Sequence, residues 1–371
     1  MNDTQNNKRK ITLLFLGSTG AGPVYSLEMA KALAATGGYE LQVVVSRRIY
    51  NLAEWKEQFA HEEYTRFDVV DTYKHNILSF AVSLLEFWKV KYVVSVIKRY
   101  NPECVYIPFP SPWDFLLLPV LYKHTKITTT LHDPHPHDVL TNPFARCLQE
   151  WNKRALRYVN NIVILNNGDV DYVKKEFGKP VQVIPHASFT YYTKELKESG
   201  ILHYTIGFVG RIEPYKGLDL LIDAFERIKD NRLHLIVAGS GEIEATLLKT
   251  IKGDRRIELI NRYIQDDEFS GLIGRMDFVV LPYKRASQSG VIPLVFSHGK
   301  TVIVTDVGAL KEQVPEGTGI ITSPSTDGLI QAITALYEQP ERIREFGSRA
   351  LQYANTDLSW THSVELLMPL L

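Results

Sequence analysis

The chain has 371 residues, 45% of them apolar and 23% charged, the composition of a globular protein with enough length for two domains of roughly 150–200 residues. Lysine plus arginine and aspartate plus glutamate both number 42, so no global field recruits nucleic acid and any basic site must be local. The two cysteines, Cys104 and Cys147, make neither a disulfide framework nor a zinc signature and read as inert thiols of a reducing compartment.

The first ten residues are polar and basic, and the apolar run after them, Ile11–Leu16, is far shorter than a secretory h-region or a membrane span. The expectation is a cytoplasmic protein. Ile11–Leu16 is the first predicted strand, and Gly17-Ser18-Thr19-Gly20-Ala21-Gly22 joins it to a helix over Tyr25–Thr36. Its glycines fit neither G-x-G-x-x-G nor a G-K-[ST] ending. Two readings stay open: a backbone turn that approaches a ligand through Gly20 and Gly22, or a tight βα connection. After the strand Leu41–Val45 comes Ser46-Arg47-Arg48 where a dinucleotide site carries an acidic ribose ligand, which argues against NAD.

Ile77–Tyr100 is the longest apolar stretch, but Glu86, Lys89, Lys91, Lys98 and Arg99 interrupt it, so it is no orthodox spanning helix. Its helical part, Val82–Tyr100, mixes basic and aromatic residues from Phe87 to Tyr92. It reads either as an ordinary buried helix with one charged edge or as a helix lying on an anionic membrane surface. Strands follow at Cys104–Ile107, Ile127–Leu131 and Ile162–Leu165. Between the last two lies the loop His132-Asp133-Pro134-His135-Pro136-His137-Asp138. Its prolines hold it extended and no partner pair has zinc spacing, so no metal is expected. His132, nearest the strand end, is placed to meet a substrate.

A break near Pro185 and the polar connector Thr193–Gly200 divide the chain. Residues 1–200 form one domain and 201–355 a second, with residues 356–371 as a tail. Alternation restarts with strand Thr205–Val209, helix Leu218–Lys229, strand Leu233–Ala238, helix Ile243–Ile251, strands Ile257–Asn261 and Phe278–Leu281, helix Val291–Phe296 and strand Thr301–Thr305. The result is α/β: two doubly wound, Rossmann-like domains, each binding ligands outside the carboxyl ends of its strands.

Two segments carry the chemistry. In Gly207-Phe208-Val209-Gly210-Arg211-Ile212-Glu213-Pro214-Tyr215-Lys216-Gly217 a strand runs into Gly210, delivers Arg211, and places Lys216 where a helix begins. Arginine offers a planar fork of donors and lysine a compact charge, which suits a diphosphate; the bland alternative is two solvated loop charges. Ser287-Gln288-Ser289-Gly290 likewise joins a strand to a helix and reads either as an anion cradle or as a serine helix cap.

With these residues in hand, the chain resembles the retaining nucleotide-sugar glycosyltransferases of family 4, which have the GT-B architecture. The likeness is strongest over about 205–325: Gly207–Gly217, Ala238-Gly239-Ser240-Gly241, Asn261-Arg262-Tyr263-Ile264, Asp277–Pro282 and Val304-Thr305-Asp306-Val307-Gly308. It is looser in the amino half, through the glycine loop, His132-Asp133 and Val183-Ile184-Pro185-His186. Leu358-Ser359-Trp360 and the tail to Leu371 are similar to the family's terminal helix, which crosses back to the first domain. The resemblance implies that Arg211 and Lys216 hold the donor diphosphate, Ser287, Gln288, Ser289 and Gly290 cradle phosphate, Tyr263 and Ile264 contact the nucleobase, and His132 lies near the transferred sugar. It also implies metal-free catalysis without a cofactor and a lipid-linked glycan acceptor. In one respect the chain departs from the family: Ser287 and Val295 stand where a glutamate pair spaced eight apart is usual. A non-catalytic nucleotide-sugar- or partner-binding protein, a sugar-nucleotide epimerase and a nicotinamide oxidoreductase are the rival readings.

Overall fold

Parallel strands covered by helices on both faces must be apolar on both sides, and this chain supplies such runs in both halves. The computed structural model describes residues 8–73, 86–134, 143–189, 204–265 and 268–371, without the side chains of 143–145. By contact density they divide into two units, one of residues up to 165, 169–184 and 360–371, the other of 166–168 and 185–359.

The first unit runs β1 (Arg9–Phe15), α1 (Gly22–Ala35), β2 (Tyr39–Ser46), α2 (Leu52–Phe59), β3 (Thr65–Val70), α3 (Phe87–Tyr100), β4 (Cys104–Ile107), α4 (Asp114–Leu121), β5 (Lys126–Leu131), α5 (Pro143–Ala155), β6 (Asn161–Ile164), α6 (Val170–Phe177) and β7 (Val181–Val183). The sheet order is β3-β2-β1-β4-β5-β6-β7, and its pairings are parallel. The five predicted strands lie within β1, β2, β4, β5 and β6 or overhang them by one residue. The edge strands β3 and β7 were not anticipated: β3 reads Thr-Arg-Phe-Asp-Val-Val, with charges on its exposed side, and β7 has three residues. Of the helix predicted over Val82–Tyr100, residues 82–85 lie outside the described residues, and α3 starts at Phe87.

The second unit runs β8 (Tyr204–Val209), α7 (Leu218–Arg227), β9 (Leu233–Ala238), α8 (Ala245–Gly253), β10 (Ile257–Ile260), α9 (Phe269–Gly274), β11 (Phe278–Leu281), α10 (Val291–Ser297), β12 (Thr301–Thr305), β13 (Gly319–Thr322), α11 (Thr326–Tyr337) and α12 (Pro340–Asn355). Its parallel sheet has the order β10-β9-β8-β11-β12-β13. Leu221, Ile222 and Phe225 of α7 are fully buried against Leu235 and Phe278 of the sheet, which fixes the amino end of that helix. α7 stops at Arg227, two residues short of the predicted end, because Ile228 takes an extended backbone conformation.

The terminal helix α13 (Trp360–Leu367) returns to the first unit. The Trp360 ring meets the edge of Tyr25 at 5.0 Å. Beyond the helix, the Leu370 carbonyl accepts from Thr128 Oγ1 at 2.9 Å and Asn161 Nδ2 at 3.2 Å. Among the described residues no helix is long and apolar enough to cross a membrane.

Candidate active site

In an open parallel sheet, the loops that leave two neighbouring strands toward opposite sides open a crevice at their carboxyl ends. In the second unit those strands are β8 and β11. Gly210–Gly217 leaves β8 and Pro282–Gly290 leaves β11, so strand order brings together the two segments singled out in the sequence. The loops are stitched by the Lys284 N–H, which donates to the Tyr215 carbonyl at 2.7 Å.

Lys216 sits at the end of a single 3₁₀ turn, Pro214–Lys216, just before α7. Its ammonium comes back over the strand end. A β-carbon on Gly210, whose φ is +118°, would lie 2.9 Å from Nζ. The same ammonium lies 5.4 Å from the centre of the Tyr283 ring. Burial, and after it the positive charge of Arg211, push the Lys216 pKa down to about 8, against a smaller opposing pull from Glu213. Arg211 is 70% exposed and only loosely paired, with Nη1 3.8 Å from Glu213 Oε1. Gly217 closes the turn at φ +68°, where a β-carbon would lie 2.0 Å from the Pro282 carbonyl oxygen. Two cations are thus held at one crevice by glycines that let the backbone pass close, an arrangement that favours an anion.

Of the cradle residues, Ser289 is drawn inward while Ser287 and Gln288 are half-buried and Gly290 is exposed. The Ser289 backbone is clamped from both sides by one side chain. Its N–H donates to Gln313 Oε1 at 2.7 Å, and Gln313 Nε2 donates to its carbonyl at 3.1 Å. Its hydroxyl lies 3.3 Å from the Tyr283 hydroxyl and accepts from the Val291 N–H at 3.3 Å. Thr305 Oγ1, at the end of β12, donates to the Tyr283 carbonyl at 2.6 Å. Tyr283 and Gln313 were not picked out in the sequence, and Thr305 entered only as part of the motif Val304–Gly308. Tyr283 lies two residues past a strand end, which is a usable signal; Gln313 arrives from the β12–β13 connection, and nothing local marks it. The helix after the cradle, α10, has only seven residues, so its dipole adds little. Val295 is fully buried in the core with Val279 and Val302, out of reach of any ligand.

Tyr263 and Ile264 follow β10 and differ in exposure. Tyr263 is 62% exposed, whereas the Ile264 side chain is buried in the core near Leu272, so only its backbone is open to contact. Their loop is tied to the one after β9 by Asn261, whose Oδ1 accepts from the Gly241 N–H and whose Nδ2 donates to the Gly241 carbonyl.

In the first unit the corresponding strands are β1 and β4. Gly20 has φ +78° and no atom within 4 Å of the place where a β-carbon would be, while Gly22 is buried against Phe15 and Phe109. His132, from the end of β5, packs its ring on Phe109 at 4.1 Å and on Tyr25 at 4.6 Å, with Nε2 2.9 Å from the Pro108 carbonyl. It therefore joins the glycine loop at the end of β1. His135, His137 and Asp138 lie outside the described residues. A cavity of about 730 Å³ opens beside Ser111, Asp114, Leu131, Asp133, Arg146 and Tyr172, the size of a drug-sized ligand site. Asp114 is buried in its wall and accepts from the Ser111 N–H at 2.9 Å and Oγ at 2.7 Å. Burial pushes its pKa up to about 6 despite these bonds. Among the described residues no three His, Cys, Asp or Glu side chains could together hold a metal ion.

Residues 22–187 match the family model described as Glycosyltransferase Family 4, and residues 203–339 the one described as Glycosyl transferases group 1. The GDP-mannose:glycolipid 4-beta-D-mannosyltransferase of Xanthomonas campestris pv. campestris is 25% identical over 197 residues, which are 51% of this chain and 52% of the relative. The chain thus spans about half the length of that curated relative. A glycosyltransferase from Rickettsia africae superposes with a TM-score of 0.72 at 16% identity, over 98% of this chain and 97% of the other. Anabaena HepE in complex with UDP-glucose does so with 0.65 at 17%, over 97% and 99%. The structural matches show the GT-B architecture, and the two halves of the chain are each similar to a glycosyltransferase domain family. More particularly, the likeness is to the family 4 model in the first half and to the group 1 model in the second.

Proposed function

We propose that the protein transfers a sugar from a nucleoside diphosphate donor to a glycan acceptor, lipid-linked and destined for a surface polysaccharide, with retention at the anomeric carbon. The observation that carries this reading is the half-buried Lys216 ammonium, held down in pKa partly by the Arg211 charge beside it. A diphosphate relieves both costs at once, because it supplies countercharge to the ammonium and a bidentate partner to the guanidinium. Support for the donor and acceptor classes comes from the Xanthomonas relative, named for GDP-mannose and a glycolipid, and from the neighbour bound to UDP-glucose.

In the proposed reaction the bond from the anomeric carbon to the β-phosphate oxygen breaks, and the diphosphate leaves with the electron pair. Arg211 and Lys216 stabilise the charge that develops there. An acceptor hydroxyl oxygen bonds to the same face of the anomeric carbon, and its proton passes to the departing diphosphate. Ser287, Gln288 and the Gly290 backbone contact the phosphates, Tyr263 the base, and His132 the sugar. The first-domain cavity beside Asp114 and Asp133 takes the acceptor. No metal ion or cofactor enters; transfer that survives a chelator tests that part, and the anomeric configuration of the product tests retention.

The deciding experiment offers nucleoside diphosphate sugars with a glycolipid extract and follows donor consumption. Arg211→Ala should lower kcat by about 10²-fold, the usual effect of removing one charge-stabilising donor. Unchanged turnover, or a wild-type protein that consumes no donor, would overturn the assignment.

A further inference from the structure

The crevice of the second unit is framed by two loops, Gly210–Gly217 after β8 and Pro282–Gly290 after β11, and Tyr283 meets a side chain of each. Its own side chain is 3% exposed and packs in the core with Val209, Leu281 and Ile292. The ring centre lies 5.4 Å from the Lys216 ammonium of the first loop, while the phenol oxygen lies 3.3 Å from the Ser289 hydroxyl of the second. Tyr215 stands edge-on to the ring, with centres 6.2 Å apart, and the Tyr283 carbonyl accepts from Thr305 Oγ1 at 2.6 Å. These contacts fix the direction in which the side chain leaves the strand end.

The two ends of the side chain act differently. An aromatic face attracts a cation within about 6 Å of its centre, most strongly where water is excluded. Burial lifts the Tyr283 phenol above its ordinary range, so the ring is neutral: it steadies the half-buried ammonium and leaves the positive charge uncancelled. Arg211 repels that charge, and Glu213 offsets the repulsion only in part. The balance is left for an anionic ligand to supply. At the other end, the hydroxyl meets the Ser289 turn, whose backbone Gln313 clamps and whose Oγ accepts from the Val291 N–H.

We propose that Tyr283 is a positioning residue that couples the two halves of the diphosphate site, its ring face holding the Lys216 ammonium and its hydroxyl holding the Ser289 turn of the cradle. The proposal deepens the transfer reading and rests on it for the identity of the ligand. Tyr283 acts on the diphosphate only through Lys216 and Ser289, so its two ends can be separated by substitution. Tyr283→Phe keeps the ring face and loses the hydroxyl, whereas Tyr283→Leu loses both.

The test is calorimetric titration of the full chain with UDP and with GDP between about pH 6.5 and 9.5, in wild type and in both variants. At pH 7, Tyr283→Phe should weaken binding about two- to threefold and Tyr283→Leu about tenfold. Wild-type affinity should fall above about pH 8, where Lys216 loses its proton. In Tyr283→Leu that fall should begin about half a pH unit lower, because the ammonium has lost the ring that favoured it, and in Tyr283→Phe it should stay in place. A ring that only filled core space would change the Tm and leave this profile where it is. The hydroxyl end is read by a double-mutant cycle: adding Ser289→Ala to Tyr283→Phe should cost less affinity than adding it to wild type. Tyr283→Phe and this cycle carry the test if Tyr283→Leu does not fold. A wild-type protein that binds neither nucleotide would overturn the donor reading and this proposal together. Wild-type binding that all three proteins share equally, a profile that does not move to lower pH in Tyr283→Leu, or strictly additive losses in the cycle would overturn the role of Tyr283 and leave the donor reading standing.

Discussion

Gly210 and Lys216 share one space: the ammonium of Lys216 lies 2.9 Å from the point that a β-carbon on Gly210 would occupy, and Gly210 has a φ of +118°. The strand end is bare so that the cation can lie across it. Gly210→Ala must therefore strain the backbone and displace Lys216 together. The expected cost is about 1–3 kcal/mol of stability, with diphosphate affinity lowered tenfold or more. Calorimetric titration with nucleoside diphosphates measures it. A variant that binds as wild type would mean that Lys216 does not need its place over Gly210.

Lys216 also couples function to stability. Its pKa of about 8 in the folded chain lies below the ordinary 10.4 of an unfolded lysine. Between these values the unfolded chain holds a proton that the folded chain has lost, so this group makes stability rise with pH from about 8 to 10.4. Below pH 8 the lysine is charged in both states, and its full cost, about 1–3 kcal/mol after allowance for partial exposure, remains. Lys216→Met should thus raise the Tm at pH 7 by a few degrees, flatten the alkaline rise and abolish diphosphate binding. A lower Tm at pH 7 would contradict the account.

Legibility in the sequence followed chain locality. Ile11–Leu16 and Thr301–Thr305 could be read as strands because a strand buried on both faces must be an unbroken apolar run. Arg211, Lys216 and Ser287–Gly290 could be read because each lies in the loop after such a run. β3 was not legible, since an edge strand keeps polar residues such as Arg66 and Asp68 and loses its periodicity. Nor was Gln313, whose clamp on Ser289 exists only because β12 lies beside β11. Ile264 shows the reverse case: its motif position suggests a nucleobase contact, but its side chain is buried in the core.

Gln313 gives the next test. It satisfies the Ser289 N–H and carbonyl together, at 2.7 and 3.1 Å, and Ser289 is buried. Gln313→Ala leaves both groups without that partner, at about 1–3 kcal/mol, and frees the loop that carries Ser287 and Gln288. Donor KM should rise several-fold while donor-saturated kcat falls less, because the clamp positions the cradle and touches no reacting atom. Equal losses in kcat and kcat/KM would point instead to an interaction made only in the transition state.

Asp114 titrates in the opposite sense from Lys216. Its folded pKa of about 6 stands above the 3.9 of an unfolded aspartate, so between pH 4 and 6 the folded chain holds the proton that the unfolded chain has lost. Stability from this group is greatest below pH 4 and declines as pH rises through 6. Asp114 nevertheless closes the Ser111 turn, accepting from its N–H and hydroxyl, so the carboxyl shape matters more than the charge. Asp114→Asn keeps an oxygen for the N–H and can donate its amide to the rotatable hydroxyl. It should match wild type or gain about 1 kcal/mol at pH 7 and remove the decline between pH 4 and 6. Asp114→Ala abandons the Ser111 N–H and should lose about 1–3 kcal/mol. Denaturant titrations of the three proteins at pH 4.5 and pH 7 separate these outcomes. A decline that persists in Asp114→Asn would assign the titration to another carboxyl group.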